Sequence, residues 1–509
     1  MTQQEVRVSD THEEEPTKTP VFRVDHFSYT YPHAKKPVLS DISFTVEPGQ
    51  ILGITGESGS GKSTLLYALS GIIPHFQMQG TASGVIEFNG RDVSTTPIFE
   101  LMNNIGMILQ DPSTQTMGMN VENTITFGME NMRIERPAME ERLEAVLKRL
   151  HIGHLREQST LSVSGGEGQA TVIASRMAMM RPVMFFDEAL SALDPAGQAR
   201  IKGVIADLKK QGITMVIADS DANWLLDTAD KVVVLNDGDM MYEGLPNTVK
   251  SDGKLRDAAG LLSLEYIPAI HERKDALDTS PIAEVSHVSF SYGSKKAIDN
   301  VSLSIPDKSV TALLGHNGSG KSTLGMLLAG LLKPQDGSIR VKRQNIASLP
   351  AKRAIEIVGY LFQNPSRMFG AKSVRDELLQ QNDALAAEIL QAFNLDSVAE
   401  SSPWDLSAGQ QQQLGLAIVT ASGPEMMILD EPTSGLTRKD RGNLTDRIQQ
   451  YRENGGTVVL ITHDFEFAAR TADTIAVLDH GRLIANGTAS DVFKDEELFT
   501  KIGLPLPWK

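Results

Sequence analysis

The chain has 509 residues, 41% of them hydrophobic, which is more than one compact core needs at roughly 100–200 residues per domain, so at least two domains are expected. Its net charge of −16, from 48 Lys and Arg against 64 Asp and Glu, argues against a nucleic-acid backbone as the main partner. The absence of cysteine excludes disulfides, zinc–thiolate sites and iron–sulfur clusters, and is compatible with a reducing cytoplasm. In chain order, residues 1–20 (MTQQEVRVSDTHEEEPTKTP) are polar and acidic, without the charged start and apolar stretch of a secretory signal, and are expected to form a disordered tail. No run approaches the 18 or so apolar residues of a membrane span, so attachment to a bilayer would go through a partner.

From Val21 onward the chain is written twice. VDHFSYTYPHAKKPVLSDISF from Val24 is answered by VSHVSFSYGSKKAIDNVSL from Val285, and GESGSGKSTLL from Gly56 by GHNGSGKSTLG from Gly315. This repetition predicts one domain over 21–247, a second over 282–509, and a connector over 248–281. The connector mixes acids and bases almost evenly around helix-compatible apolar residues and is expected to pack on the first domain. Within each repeat, short apolar runs such as QILGITG, VMFFD, TMVIAD and KVVVLNDG alternate with longer helical stretches. Unbroken apolar runs of this length suit strands buried on both faces of a parallel sheet, so the fold class is α/β.

Gly56–Ser63 and Gly315–Ser322 both fit G-x-x-x-x-G-K-[ST] between a predicted strand and a predicted helix. Gly56, Ser58, Gly59 and Gly61, like Gly315, Asn317, Gly318 and Gly320, let backbone N–H groups turn inward around phosphate oxygens. Lys62 and Lys321 would reach the outer phosphates of ATP, Ser63 and Ser322 would ligate Mg²⁺, and Thr64 and Thr323 open the helix whose N-terminus adds positive potential. The runs VMFFDE and MMILDE end in Asp187–Glu188 and Asp430–Glu431. The Asp suits the Mg²⁺ shell and the Glu suits polarising the water that attacks the γ-phosphate; without the phosphate loops upstream, the same acids would read as helix caps.

SGGEGQ from Ser164 and LSAGQQQQ from Leu406 stand just before these Asp-Glu strands, and each repeat has a lone Gln after a strand, Gln110 and Gln363. Phosphate loop, Gln, signature, Asp-Glu, SALD or SGLT, and the Ser220 or His463 segment follow in one order twice, and the chain outside tail and connector resembles the ABC ATPases. That resemblance implies a helical signature subdomain in each domain and an intramolecular head-to-tail pair. Each of two ATPs would lie between the phosphate loop of one domain and the signature of the other, Ser164, Gly165 and Gly166 or Ser407, Ala408 and Gly409. It also implies that Gln110 and Gln363 take part in catalysis and reach Mg²⁺, and that Tyr31 and Tyr292 sit where adenine stacks, although either could be a partly buried core residue. Site one would combine the first phosphate loop, Gln110, Asp187, Glu188 and Ser220 with Ser407, Ala408, Gly409, Gln410 and Thr437. Site two would combine the second loop, Gln363, Asp430, Glu431 and His463 with Ser164, Gly165, Gly166, Glu167 and Asp194.

Three departures from the family pattern, Ser220 for His, Ala408 for Gly and Thr437 for Asp, all fall on site one, which is therefore expected to turn ATP over slowly while Glu431 and His463 carry hydrolysis. Ala170 and Gln413, where the family often has Arg, receive no role from the sequence. QDPSTQ at Gln110 and QNPSRM at Gln363 are similar to the energy-coupling factor group of ABC importers, although a proline there is also sufficient as a turn residue. In that group an ATPase pair on the cytoplasmic face of the membrane binds a transmembrane coupling protein, and a small membrane protein captures a vitamin or metal ion. A conventional sugar or peptide importer is the nearest alternative. A soluble translation or repair factor is less compatible, because residues 250–281 hold five Lys or Arg against six Asp or Glu rather than a basic linker.

Overall fold

The computed structural model describes residues 19–32, 34, 36–57, 59–76, 80–109, 114–117, 119–160, 162–163, 165–190, 193, 195–259, 261, 270–271, 280–293, 295–433, 436, 438–502 and 504. The chain divides into two compact units. One comprises the chain up to Leu109 with Arg176–Glu188 and Val204–Leu261; the other comprises Gln110–Ser175, Ala189–Gly203 and Leu262–Lys509.

In the first unit the apolar runs become a parallel core in the order Ile105–Ile108, Val183–Asp187, Thr214–Ala218, Ile51–Thr55, Lys231–Asn236. The first four of these strands are buried along their whole length, as two-sided cover requires. An antiparallel layer of Arg91–Asp92, Thr81–Phe88, Phe22–Thr30 and Leu39–Val46 joins this core through Asp239–Gly244, which lies antiparallel to Lys231–Asn236 and meets the layer in a single bridge of Asp239 to Ser40, completing a ten-stranded sheet. Register positions the chemistry: Asp187 pairs with Ala218 and Ile54 also pairs with Ala218, so three strands release their next residues at the same carboxyl edge. That edge is where ligands bind in open α/β sheets.

The second unit repeats the plan with Val358–Leu361, Met426–Asp430, Thr457–Ile461, Val310–Leu314, Thr474–Asp479 and Arg482–Thr488 in one six-stranded sheet, and a separate four-stranded antiparallel sheet from Pro281–Tyr292, Lys295–Pro306, Asp336–Val341 and Gln344–Asn345. Asp430 and Leu313 both pair with Ile461, reproducing the level edge. The Asp299 N–H still donates to Gly481 O at 2.8 Å, as the Ser40 N–H does to Gly238 O at 2.9 Å, but no ladder pair joins the two sheets.

The expected helical insertions are present as Val121–Asn131, Arg136–Arg149 and Gly165–Ala178, and as Val374–Gln381, Ala386–Ala392 and Ala408–Ala421. Arg156 ties Val121–Asn131 to Arg136–Arg149 by meeting Glu122 and Glu144 at 2.5 Å and Glu140 at 2.8 Å. In the connector region, Val249, Ala259 and Leu261 pack with Leu226, Val232 and Val234, whereas Ile270 packs on the core of the second repeat and the His271 N–H donates to Ala469 O at 2.6 Å. Among the described residues of the connector, its beginning thus packs on the first repeat and Ile270–His271 on the second. Among the described residues, no helix is long and apolar enough to cross a membrane.

Candidate active site

The two phosphate loops have nearly the same backbone. Gly56 and Gly315 have φ of 149° and 148°, and Gly61 and Gly320 have 101° and 104°. A Cβ on Gly56 would lie 2.0 Å from Leu235 O, and one on Gly315 2.1 Å from Leu478 O, so neither loop accepts a side chain there. Helices Lys62–Leu69 and Lys321–Leu328 begin without a side-chain cap, which leaves their first N–H groups open to an anionic acceptor. Lys62 Nζ folds back to donate to Gly56 O at 3.0 Å and Glu57 O at 2.8 Å; Lys321 Nζ does the same to Gly315 O and His316 O, both at 2.8 Å. Burial holds Lys62 below the usual lysine range.

At the neighbouring strand ends, Ser63 Oγ donates to Asp187 Oδ1 at 2.9 Å and Ser322 Oγ to Asp430 Oδ1 at 3.1 Å. Burial pushes both carboxyls up to about 6. In the second repeat the Tyr360 hydroxyl also donates to Asp430 Oδ2 at 2.8 Å. A hydroxyl beside a carboxylate at an anion-binding loop fits a hard divalent cation such as Mg²⁺. Among the described residues no group of three or more His, Asp or Glu could hold a metal alone, so such an ion would take most of its oxygens from nucleotide and water.

The next residue in each repeat, Glu188 or Glu431, has a left-handed backbone with φ of 46° or 50°. A non-glycine residue is strained there, and the conformation is held by its own N–H, which donates at 2.8 Å to Ala218 O or Ile461 O. From this point the repeats diverge. Glu431 Oε2 lies 2.9 Å from His463 Nδ1, an ion-pair contact whose angle falls short of a hydrogen bond, and accepts from Thr462 Oγ1 at 3.4 Å. Burial raises Glu431, but the charge of His463 and that of Lys321 outweigh it and leave the carboxyl below its usual range. His463 is in turn raised by the charge of Glu431 against its own burial. Glu188 Oε1 instead accepts from Ser220 Oγ at 3.0 Å and lies 3.7 Å from Lys62 Nζ.

The model of the ABC transporter family matches residues 39–191 and 298–434, more than half of the chain. The chain belongs to the ABC transporter family. As its ATP-binding component, this ABC protein is an ATPase. A Bacillus subtilis (strain 168) protein provisionally named HMP/thiamine import ATP-binding protein YkoD is 31% identical over 95% of this chain and 94% of its own length. A Caldanaerobacter subterraneus protein provisionally named as an ABC transporter ATP-binding protein is 30% identical over 95% of this chain and 94% of its own. Among solved structures, cbiO1 of Clostridium perfringens, part of the ABC transporter complex cbiONQ, is 27% identical and covers 45% of this chain and 96% of its own, with a TM-score of 0.39.

Around these ABC motifs, the other expected residues fall as follows. Ser407 caps the signature helix Ala408–Ala421 in a capping box: its Oγ accepts from Gln410 N at 3.3 Å, and Gln410 Oε1 accepts from Ser407 N at 3.1 Å. Gly165 and Gly166 open the equivalent helix Gly165–Ala178, and Gly409 lies in the first turn of its counterpart. Gly59 and Gly318 border open space, while Thr64 and Thr323 are buried. Tyr31 is partly buried, edge-on to Tyr29 and 3.2 Å from Thr64 Oγ1 through its hydroxyl, whereas Tyr292 is 48% exposed and edge-on to Phe290. Tyr292 thus has the freer ring face for a base. Gln363 lies on an exposed bend after Val358–Leu361, and Asn317 sits in the second phosphate loop. Ser58, Gln110, Ser164, Asp194 and Thr437, with the side chain of Ala408, lie outside the described residues.

Two neighbours of the site escaped the sequence reading. Tyr360 reaches Asp430 from the adjacent strand. Asp219, at the position of Thr462, is buried, accepts from Asp221 N at 2.8 Å and Trp224 Nε1 at 3.2 Å, and is pushed up to about 8 by burial. In sequence it directly precedes Ser220, as Thr462 precedes His463.

Proposed function

We propose that this ATPase powers an importer of the energy-coupling factor type for a vitamin or metal ion. It would lie on the cytoplasmic face of the membrane against a transmembrane coupling protein and a small substrate-capturing membrane protein. Support comes from the Gln-x-Pro stretches at Gln110 and Gln363, from two ATPase repeats in one chain, and from a full-length relative named for HMP/thiamine import. In this reading domains 21–247 and 282–509, joined by 248–281, pair head to tail and clasp two ATPs between phosphate loop and signature.

Each ATP would be held by the open N–H groups of its phosphate loop and by Lys62 or Lys321, with adenine on the aromatic Tyr31 or Tyr292. Ser63 and Asp187, or Ser322 and Asp430, with Gln110 or Gln363, would hold Mg²⁺, which when bound neutralises phosphate charge. Glu431, steadied by His463 and Thr462, would take hydrogen-bond hold of the attacking water. Glu188, engaged by Ser220 and Lys62, would do so less well.

The observation that carries the unequal division is the 2.9 Å contact of His463 with Glu431, against the hydroxyl contact of Ser220 with Glu188. Steady-state ATPase of Glu431→Gln and Glu188→Gln in the assembled complex tests it. A deep loss for Glu431→Gln with a smaller one for Glu188→Gln is expected, and equal losses would overturn it. Capture of the chain from detergent-solubilised membranes tests the importer class: a hydrophobic coupling protein with a small membrane protein is expected, and a ribosome would refute it.

A further inference from the structure

Helix Arg438–Glu453 follows the Glu431 loop, and two adjacent residues in its first turn reach in different directions. Asp440 Oδ1 accepts from Gln413 Nε2 at 3.2 Å, and Gln413 belongs to the signature helix Ala408–Ala421. Arg441 Nη1 donates to Asp464 Oδ2 at 2.9 Å. Asp464 directly follows His463 and caps helix Phe465–Thr471 by accepting from Phe467 N at 2.9 Å. Three polar contacts, Glu431 with His463, Asp464 with Arg441 and Asp440 with Gln413, are therefore linked into one path by two backbone steps, His463 to Asp464 and Arg441 to Asp440.

The joint beside this path is not packed solid. A cavity of about 30 Å³ is lined by Gln412, Gln413, Pro432, Leu436 and Asp440 among others, and Gln412 Nε2 is buried without a partner. The apolar faces of the two helices still share one core, so the polar ties add to packing at this joint rather than replace it.

The first repeat has other side chains at these positions. Gly197 and Ala170 stand at the positions of Asp440 and Gln413, and neither side chain can make the bond. Gln198 stands at the position of Arg441 and turns its amide to Leu193 O at 3.2 Å and Leu190 O at 3.4 Å. The Gln413 departure, which the sequence left without a role, thus has a partner in Asp440, and Ala170 matches a glycine.

We propose that Asp440 and Arg441 are positioning residues that couple the His463 segment of the second site to the signature helix of the same repeat. This rests on the composite-site reading, in which that signature faces the nucleotide of the first site. A change at His463 during hydrolysis is then felt at the clamp on the other ATP, and by linkage a change at that clamp is felt at His463.

The test compares Gln413→Ala, Arg441→Gln and the double variant of the full chain in the assembled complex by steady-state ATPase. Each single change is expected to lower kcat roughly three- to tenfold with little change in KM for ATP, since a tie to a charged group of this strength amounts to about one decade. Because either change severs the same path, the double variant should fall no further than the weaker single, and Arg441→Lys should recover most of the loss. Multiplying losses, or a loss that follows melting temperature and is not recovered by Lys, would overturn the coupling. Equal losses for Glu431→Gln and Glu188→Gln would instead remove the division of labour and leave the non-additivity still readable.

Discussion

Replacing His463 with alanine removes an imidazole in direct contact with Glu431. Nδ1 lies 2.9 Å from Oε2, the imidazole side chain is 28% exposed, and the carboxyl side chain is 8% exposed. Loss of a preorganised polar contact at a reacting centre costs roughly 2.7–4 kcal/mol, or two to three decades in rate. The lower end applies here, because Thr462 still reaches Glu431 at 3.4 Å and the partly open imidazole is screened by solvent. A fall of about a hundredfold in kcat is therefore expected, measured as phosphate release by the assembled complex at saturating Mg²⁺-ATP. Ser220→Ala removes only a 3.0 Å hydroxyl contact from a glutamate that also has Lys62 nearby, and should cost less than about threefold.

The same contact has a pH signature. His463 is raised above its ordinary 6.5 by the charge of Glu431, so the stability it contributes is fully present below 6.5 and is lost as pH rises through the elevated value. The melting-temperature gap between the native chain and His463→Gln should be widest in mild acid and narrow as the solution becomes alkaline. A kcat loss below about fivefold for His463→Ala, an equal loss for Ser220→Ala, or a gap that widens toward alkaline pH would each refute the reasoning.

Two further outcomes follow from the geometry. Gly56→Ala and Gly315→Ala place a Cβ about 2 Å from a backbone carbonyl and should each cost at least about tenfold in affinity for an ATP analogue at the altered site, whereas Gly59→Ala, whose Cβ meets nothing within 4 Å, should cost roughly 1 kcal/mol of backbone strain and keep the fold; binding titration with parallel melting curves checks both. Asp473 is fully buried between Arg452 at 3.1 Å, His271 at 3.3 Å and Val310 N at 2.8 Å; burial alone would raise it, but these partners hold it below its ordinary 3.8. Asp473→Asn should destabilise the second repeat by about 3 kcal/mol at neutral pH, and because a depressed carboxyl loses its contribution as pH falls through the lowered value, the deficit in urea unfolding should shrink below pH 3.8.

The parallel core was legible because a strand buried on both faces has to be apolar throughout, and VMFFD or TMVIAD permits little else. The antiparallel layer was not. Phe22–Thr30 breaks its alternation with register shifts on either side of Phe27 and a left-handed His26, so its period of two is erased where it would be read. The phosphate loops were equally legible, since their function depends on local spacing. What spacing cannot carry is register across strands: Tyr360 meets Asp430 only because Val358–Leu361 pairs in parallel with Met426–Asp430. The left-handed turn at Glu188 and Glu431 is likewise imposed by the neighbouring strand, through its carbonyl at Ala218 or Ile461.

The two repeats hold the same backbone to within a few degrees at Gly56 and Gly315, Gly61 and Gly320, and Glu188 and Glu431, yet differ in the polar side chains beside them. Steric demand accounts for the first fact: a carbonyl 2 Å from any Cβ leaves no alternative to glycine. The second follows because polar contacts at the carboxyl edge are separable from the buried sheet that carries most of the stability. Where the first repeat has Ser220 instead of an imidazole, it also has Asp219 in place of Thr462 and Trp224 in place of Phe467, and the two side chains bond each other while Asp221 N completes the carboxyl. A buried acid without those donors would cost far more than the lost His contact. The first repeat therefore builds a different, satisfied network that ties the Ser220 turn to its own helix. In the second repeat the corresponding turn is tied outward, through Asp464 to Arg441 on helix Arg438–Glu453.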